Sequence, residues 1–203
     1  MSVTPSDTAR RRLSGAERRE QILDATKAIA FERGFHAVSI EVVAREAGIS
    51  RPVVYNHFED LPGLLEALID RESGRALEQL APVLPSSLEP GDAVEQMLAG
   101  LRGYLEVVEA DPLTWRLVLM PPEGAPEILR ERIAAGRNGV VALLADIFRA
   151  GEGPFGPSPD PELTARTFSA LSDEGARLVL TDPEHFTAER IVEHARWLLA
   201  QLG

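Results

Sequence analysis

Apolar residues along this chain recur at intervals of three and four, with polar residues filling the gaps. Alternation with a period of two, which marks a half-buried strand, is nearly absent, and no block repeats at a fixed period. The pattern therefore predicts an all-α protein. Ile22, Ala25 and Ile29 form the first apolar stripe. Ahead of it, Ser14 and Glu17 have the spacing of a capping box, in which hydroxyl and carboxylate each satisfy an orphan backbone donor. Gly34 stops this helix. Ile40, Val43, Ala44 and Ala47 carry a short second helix capped by Ser39, and Gly48 ends it. Ser50 is expected to cap a third helix that runs to about His57. Asp60 then caps a long fourth helix, with Pro62 tolerated in its first turn. Proline-bearing breaks at 81–91, 120–126 and 151–161 divide the remainder, and helices are predicted near 91–109, 112–120, 125–150, 161–181 and 187–202. Asp111-Pro112, Asp160-Pro161 and Asp182-Pro183 each read as a cap before an N1 proline or as a tight turn.

Two short helices joined around Gly48 make a helix-turn-helix, because glycine permits the positive φ that a sharp turn between packed helices needs. At 100° per residue, Val54 and Phe58 fall on one side of the third helix and should pack on the first two. Pro52, Val53, Tyr55 and Asn56 project away, with Arg51 and His57 on the flanks. A core helix would not place Tyr and Asn opposite its apolar pair, and a merely solvated helix would more often carry Lys and Glu there. Tyr, Asn, His and Arg donate to phosphate oxygens, Asn and Arg also read base edges, and Val53 can meet a thymine methyl.

A formal net charge of -11 opposes that reading until the charge is partitioned. Residues 1–60 hold nine Lys/Arg and nine Asp/Glu, so the excess acid lies wholly in 61–203. Arg10, Arg11 and Arg12 give the N-terminal arm a positive balance. Such asymmetry suggests two parts with different partners, although an acidic surface also simply keeps a body soluble. The chain has no cysteine, which excludes disulfides and cysteine nucleophiles. No signal peptide and no membrane span are expected, so a cytoplasmic protein is the default.

The segment "ERREQILDATKAIAFERGFHAV" followed by "SIEVVAREAGISRPVVYNHFEDLPGLLEAL" resembles the N-terminal DNA-binding domain of the TetR family of bacterial transcription regulators. The likeness covers about residues 14–70. It rests on the first-helix stripe, the Gly-Phe after it, the Ala-x-x-Ala-Gly-Ile-Ser turn and Tyr-x-His-Phe, in that order. The resemblance implies a three-helix DNA-binding domain, a linking fourth helix and a larger helical body for ligand binding and dimerisation. The expected division is a flexible basic arm at 1–13, the helix-turn-helix domain at 14–60 and the body at 61–203. The implied partners are a double-stranded DNA operator, a mostly apolar small-molecule effector and a second copy of the chain, with repression as the family's usual mode. Carried over to this sequence, the DNA-binding residues are Ser39, Arg45, Ser50, Arg51, Pro52, Val53, Tyr55, Asn56 and His57. One position departs from the pattern: Leu61 stands where the family usually has a phosphate-contacting lysine, and Glu59 and Asp60 precede it. Arg45, Arg51 or the arm can compensate.

In the body, the candidate ligand-binding residues are Met97, Leu101, Tyr104, Trp115, Leu119, Met120, Phe148 and Phe168, with Glu174 and Arg177 to orient a ligand. Helix-spaced apolar residues also serve as ordinary core. Phe168, Leu171, Gly175, Leu178, Ile191, Ala195 and Leu198 are candidates for a dimer interface, although a monomer would bury the same residues within its own bundle. An enzyme is not expected, and neither is a cofactor or a metal. His36, His57, His185 and His194 show no ligand spacing, and there is no phosphate loop or nucleophile elbow. Two alternatives remain open: a helical ligand-binding protein or enzyme with a vestigial helix-turn-helix, and a DNA-binding regulator controlled by a protein partner.

Overall fold

A computed structural model of the protein describes residues 13–85, 92–122, 124–150 and 158–202. These residues contain no strand and form α1 (Gly15–Arg33), a 3-10 turn (Phe35–Ala37), α2 (Ile40–Glu46), α3 (Arg51–Tyr55), α4 (Leu61–Leu80), α5 (Ala93–Ala110), α6 (Pro112–Leu119), α7 (Glu127–Arg149), α8 (Pro161–Thr181) and α9 (Ala188–Leu202). The chain divides into two compact units, Met1–Leu68 and Ile69–Gly203, with the division inside α4. No described helix is long and apolar enough to cross a membrane. Arg10, Arg11 and Arg12 lie outside the described residues.

In the first unit, the predicted capping box is present. The Ser14 hydroxyl accepts from the Glu17 N–H at 3.2 Å, and the Glu17 carboxylate accepts from the Ser14 N–H at 2.7 Å. Both helix-start donors are thereby satisfied. Helix α1 packs on α2, and α2 on α3. The core of this unit includes Ile22, Leu23, Ile29, Val43 and Val54, none with any exposed surface. Polar bonds fix the register. The Gln21 amide donates to the Ala47 carbonyl at 2.9 Å, and Arg33 lies 3.7 Å from the Glu46 carboxylate. The 3-10 turn was not foreseen. Gly34, at φ 81°, turns the chain out of α1 and lets Phe35 fold back into the core.

The second unit is a bundle in which α8 packs against α5, α6, α7 and α9. Leu105, Val108, Trp115, Ala176, Val179 and Val192 form its main core. A smaller cluster joins Val141, Ala145, Phe148 and Ala165, with the Phe148 and Phe168 rings 5.2 Å apart. Two of the Asp-Pro steps are true N-caps: Asp111 accepts from the Thr114 N–H and Asp160 from the Leu163 N–H. The third, Asp182-Pro183, is a turn that closes α8 and precedes α9.

Candidate functional site

The link between α2 and α3 is set by backbone bonds. Ile49 N–H donates to the Ala44 carbonyl at 2.9 Å and Gly48 N–H to the Arg45 carbonyl at 3.1 Å, the paired bonds of a Schellman close. Gly48 sits at φ 64°, the left-handed region, and an added Cβ would meet nothing within 4 Å. Glycine is required there by backbone conformation and not by space.

Helix α3 is shorter than its pattern predicts, since it ends at Tyr55 and the chain tightens into a turn. Asn56 N–H bonds to the Pro52 carbonyl at 3.0 Å, and both His57 and Phe58 N–H groups converge on the Val54 carbonyl. Ser50 occupies the N-cap, but its hydroxyl makes no capping bond. The helix start is held instead by the Ser50 carbonyl, which accepts from Val53 at 3.0 Å. Val54 is fully buried and Phe58 nearly so, with the Arg19 guanidinium 5.0 Å from the Phe58 ring centre. Tyr55 is 48% exposed, and Arg51, Pro52 and Asn56 are exposed beside it, while Val53 and His57 are half-buried. The polar residues therefore share a solvent-facing surface backed by a rigid apolar anchor. Arg45 and Ser50 are exposed as well. Ser39 is half-buried at the start of α2, where its hydroxyl accepts from Val42 N–H at 3.3 Å. Leu61 is half-buried, and the Asp60 carboxylate beside it is engaged in capping α4 through the Gly63 N–H at 2.8 Å.

The second unit holds a large, mostly apolar cavity of about 1310 Å³ that is open to the surface. Its wall includes Met97, Leu101, Tyr104, Trp115, Leu119, Phe168 and Glu174 from the predicted ligand set. Three of that set lie elsewhere. Phe148 is buried in the α7–α8 cluster, Met120 packs beside the main core, and Arg177 donates to the Leu119 carbonyl at 3.3 Å and to Glu174 at 3.1 Å. Helical spacing alone does not separate a residue that lines a void from one that fills the layer behind it. The cavity runs between α8 and α9 past Leu178, Ile191 and Ala195, the last two packed on the main core, to exposed Leu171 and Leu198. There Leu163 is 60%, Leu171 64% and Trp197 56% exposed. Gly175 faces its own bundle: a Cβ there would meet Ile191 at 3.1 Å and Leu105 at 3.9 Å. It allows α8 and α9 of one chain to approach closely.

Polar residues that pattern reading did not single out sit at the cavity wall. The Trp115 indole N–H donates to the Gln79 side chain at 2.8 Å, and Gln79 in turn donates to Asp111 at 3.1 Å. The Thr114 hydroxyl reaches both Glu72, at 2.6 Å, and Asp111, at 2.8 Å. Glu72 has no exposed surface, and Arg71 lies 2.8 Å from its carboxylate. These bonds fasten α6 to the second half of α4. Elsewhere in the wall, Tyr104 donates to Asp173 at 3.1 Å, and Arg137 lies 2.8 Å from the other Asp173 oxygen. Burial and the Asp173 charge raise the Tyr104 pKa well above its ordinary 10.0, so the phenol stays protonated. A sequence signal for both sets exists in retrospect. Glu72 and Gln79 interrupt the inward stripe of α4, and Asp173 interrupts that of α8 between Ala165 and Ala176. Among the described residues, no group of three His, Asp or Glu side chains is disposed to hold a metal ion.

The sequence model for the bacterial regulatory proteins of the tetR family matches residues 22–68. The HTH-type transcriptional regulator BetI of Serratia proteamaculans is 29% identical over 159 residues, covering 77% of this chain and 77% of that protein. A TetR-like transcriptional regulator from Rhodococcus sp. RHA1 superposes with a TM-score of 0.71 at 25% identity, covering 94% of this chain and 97% of the other. The matched segment, with its exposed polar face on α3 held by a Schellman turn, is similar to the DNA-binding domain of tetR-family regulators, and over most of its length the chain is similar to HTH-type transcriptional regulators.

Proposed function

We propose that this protein is a repressor that occupies a palindromic operator as a homodimer and leaves it when a small, mostly apolar molecule enters the cavity of the second unit. Tyr55 and Asn56 read base edges, with Val53 against a thymine methyl. Arg45, Ser50, Arg51 and His57 hold phosphates, and Ser39 fixes the start of α2 beside them. Pro52 presets the first turn of α3. Leu171, Leu178 and Leu198 belong to the face that pairs with a second copy. A single helix-turn-helix covers too little DNA for tight binding, whereas a dimer reads two half-sites about 34–36 Å apart or a multiple of that.

The observation that carries the control reading is the bond from Trp115 to Gln79. Trp115 forms cavity wall, and Gln79 lies on α4, the helix that begins three residues after Phe58. A molecule that displaces the indole must break or drag that bond, so occupancy is coupled to the position of α4. Linkage then requires that operator DNA weaken the effector by the same factor by which the effector weakens DNA.

Footprinting on the DNA flanking the gene tests the reading. A protected palindrome, lost on adding an effector suggested by neighbouring genes, is expected. Binding without sequence preference, wholly accounted for by salt-dependent phosphate contacts, would refute the operator claim. Equal effector affinity for free and DNA-bound protein would refute the coupling.

A further inference from the structure

The charges around the cavity constrain what it can hold. Three arginines and three carboxylates contribute to its wall: Arg132, Arg137 and Arg190 against Asp173, Glu174 and Glu193. Their formal charges cancel. Five of the six are already engaged by the protein. Arg137 pairs with Asp173 at 2.8 Å, Arg132 with Asp70 at 2.9 Å and Glu174 with Arg177 at 3.1 Å. Arg190 donates to the His185 carbonyl and lies over the Phe186 ring at 5.1 Å. Glu193 is exposed to solvent.

A charged ligand would lose water in a mostly apolar space where five of the six wall charges are already engaged and the sixth, Glu193, is solvated, which makes its burial costly. An anion would approach Asp173 as well as Arg137, and a cation the reverse. Two polar groups of the wall are engaged as well: the Trp115 N–H is held by Gln79, and the Tyr104 O–H proton by Asp173. A phenol oxygen that donates its proton retains lone pairs, so Tyr104 can still accept one hydrogen bond. Its ring stands edge-on to Trp115 with the ring centres 5.2 Å apart.

Building on the effector cavity proposed above, we infer that it takes an uncharged, largely apolar molecule that donates one hydrogen bond to the Tyr104 hydroxyl. Selectivity for neutral over charged ligands comes from the apolar wall and its already paired charges, and the preference for a donor comes from Tyr104.

The test uses the full-length Trp197→Phe protein, in which Trp115 is the remaining tryptophan, titrated below micelle-forming concentrations with four probes sharing a twelve-carbon chain. These are dodecanol, its methyl ether, dodecanoate and dodecyltrimethylammonium. Calorimetry on wild-type protein provides a second readout. Dodecanol is expected to bind at least about tenfold more tightly than either charged probe and several-fold more tightly than the ether. In Tyr104→Phe the advantage of alcohol over ether disappears while the preference for neutral probes persists. Equal or tighter binding of dodecanoate or the ammonium probe overturns the inference and leaves the cavity reading intact. An alcohol preference that survives in a folded Tyr104→Phe overturns the assignment of the acceptor. Binding of none of the four overturns the effector cavity itself, and the inference with it. The wild-type panel decides the charge claim even where the Tyr104 variant does not fold.

Discussion

Val54 and Tyr55 are adjacent in the chain, yet they should fail in opposite ways. Val54 has no exposed surface and anchors α3 in the core. Trimming it to alanine removes two methyl groups, about 0.8 kcal/mol each in transfer terms. The void left in a packed core raises the loss to about 2 kcal/mol. Tyr55 is 48% exposed, so Tyr55→Ala should alter unfolding by no more than ~0.5 kcal/mol. Its lost base contact should cost about 1–3 kcal/mol per half-site, or roughly 5- to 150-fold in operator affinity for each reading head. Urea unfolding followed by circular dichroism measures the first quantity, and fluorescence anisotropy on a labelled operator at fixed salt measures the second. The expected pattern is a crossed one: Val54→Ala shifts the urea midpoint with a smaller effect on affinity near 4 °C, and Tyr55→Ala loses binding with an unchanged midpoint. Wild-type affinity in a folded Tyr55→Ala, or an undiminished midpoint in Val54→Ala, would mean that the two faces of α3 have been assigned the wrong way round.

The φ of 64° at Gly48, with open space around it, predicts that Gly48→Ala destabilises by about 1 kcal/mol while Gly48→Asn costs less, because asparagine tolerates the left-handed region; equal urea midpoints for the two would refute a backbone origin. Sedimentation at micromolar concentration should find a dimer, and Leu171→Glu with Leu198→Glu should yield a folded monomer, whereas an unchanged sedimentation coefficient would place the interface elsewhere. Gln79→Leu cuts the bond from the cavity wall to α4, so effector should still bind but release operator less completely; wild-type release in this variant would remove Gln79 from the coupling. Because the folded-state pKa of Tyr104 is raised, the stability it contributes is full below pH 10 and is lost as pH rises through the folded value, once the unfolded phenol ionises first. The alkaline limb of the stability curve should therefore be shallower in Tyr104→Phe, as read from urea midpoints between pH 9 and about 11.

The helices were legible because their ends are local. Ser14, Ser39, Asp60, Asp111 and Asp160 each accept from a backbone N–H three residues on, so cap and helix lie within one turn of sequence. The face of α3 was legible for the same reason, since five residues at 100° steps leave little choice of which side carries Val54. Ser50 shows the limit. Its identity and position suit a cap, but the chain tightens after Tyr55 and the hydroxyl makes no capping bond. The cavity wall was legible only in part. Trp115 and Gln79 are 36 residues apart, and Tyr104 and Asp173 are 69 apart. No local rule couples residues at such distances, and a stripe of apolar side chains looks the same whether it fills space or borders it.

That last ambiguity has a physical consequence for how a bundle can keep a void. Apolar packing is non-directional and rewards closing any space between helices. A second unit held together only by its leucines and valines would be expected to collapse into its own cavity. Hydrogen bonds to defined partners resist this because they fix both distance and orientation, and leaving a buried partner unmade costs more than making it gains. The polar residues on inward faces lie where such resistance is needed. Glu72, Gln79, Thr114 and Asp111 hold α6 at a set distance from α4, while Asp173, Tyr104 and Arg137 join α8, α5 and α7. On this view the pins that keep the cavity open are also the points at which an occupant exerts force. A residue such as Gln79, conspicuous only as a break in an apolar stripe, then matters to the shape of the cavity and, under the proposed control, to the effector response as well.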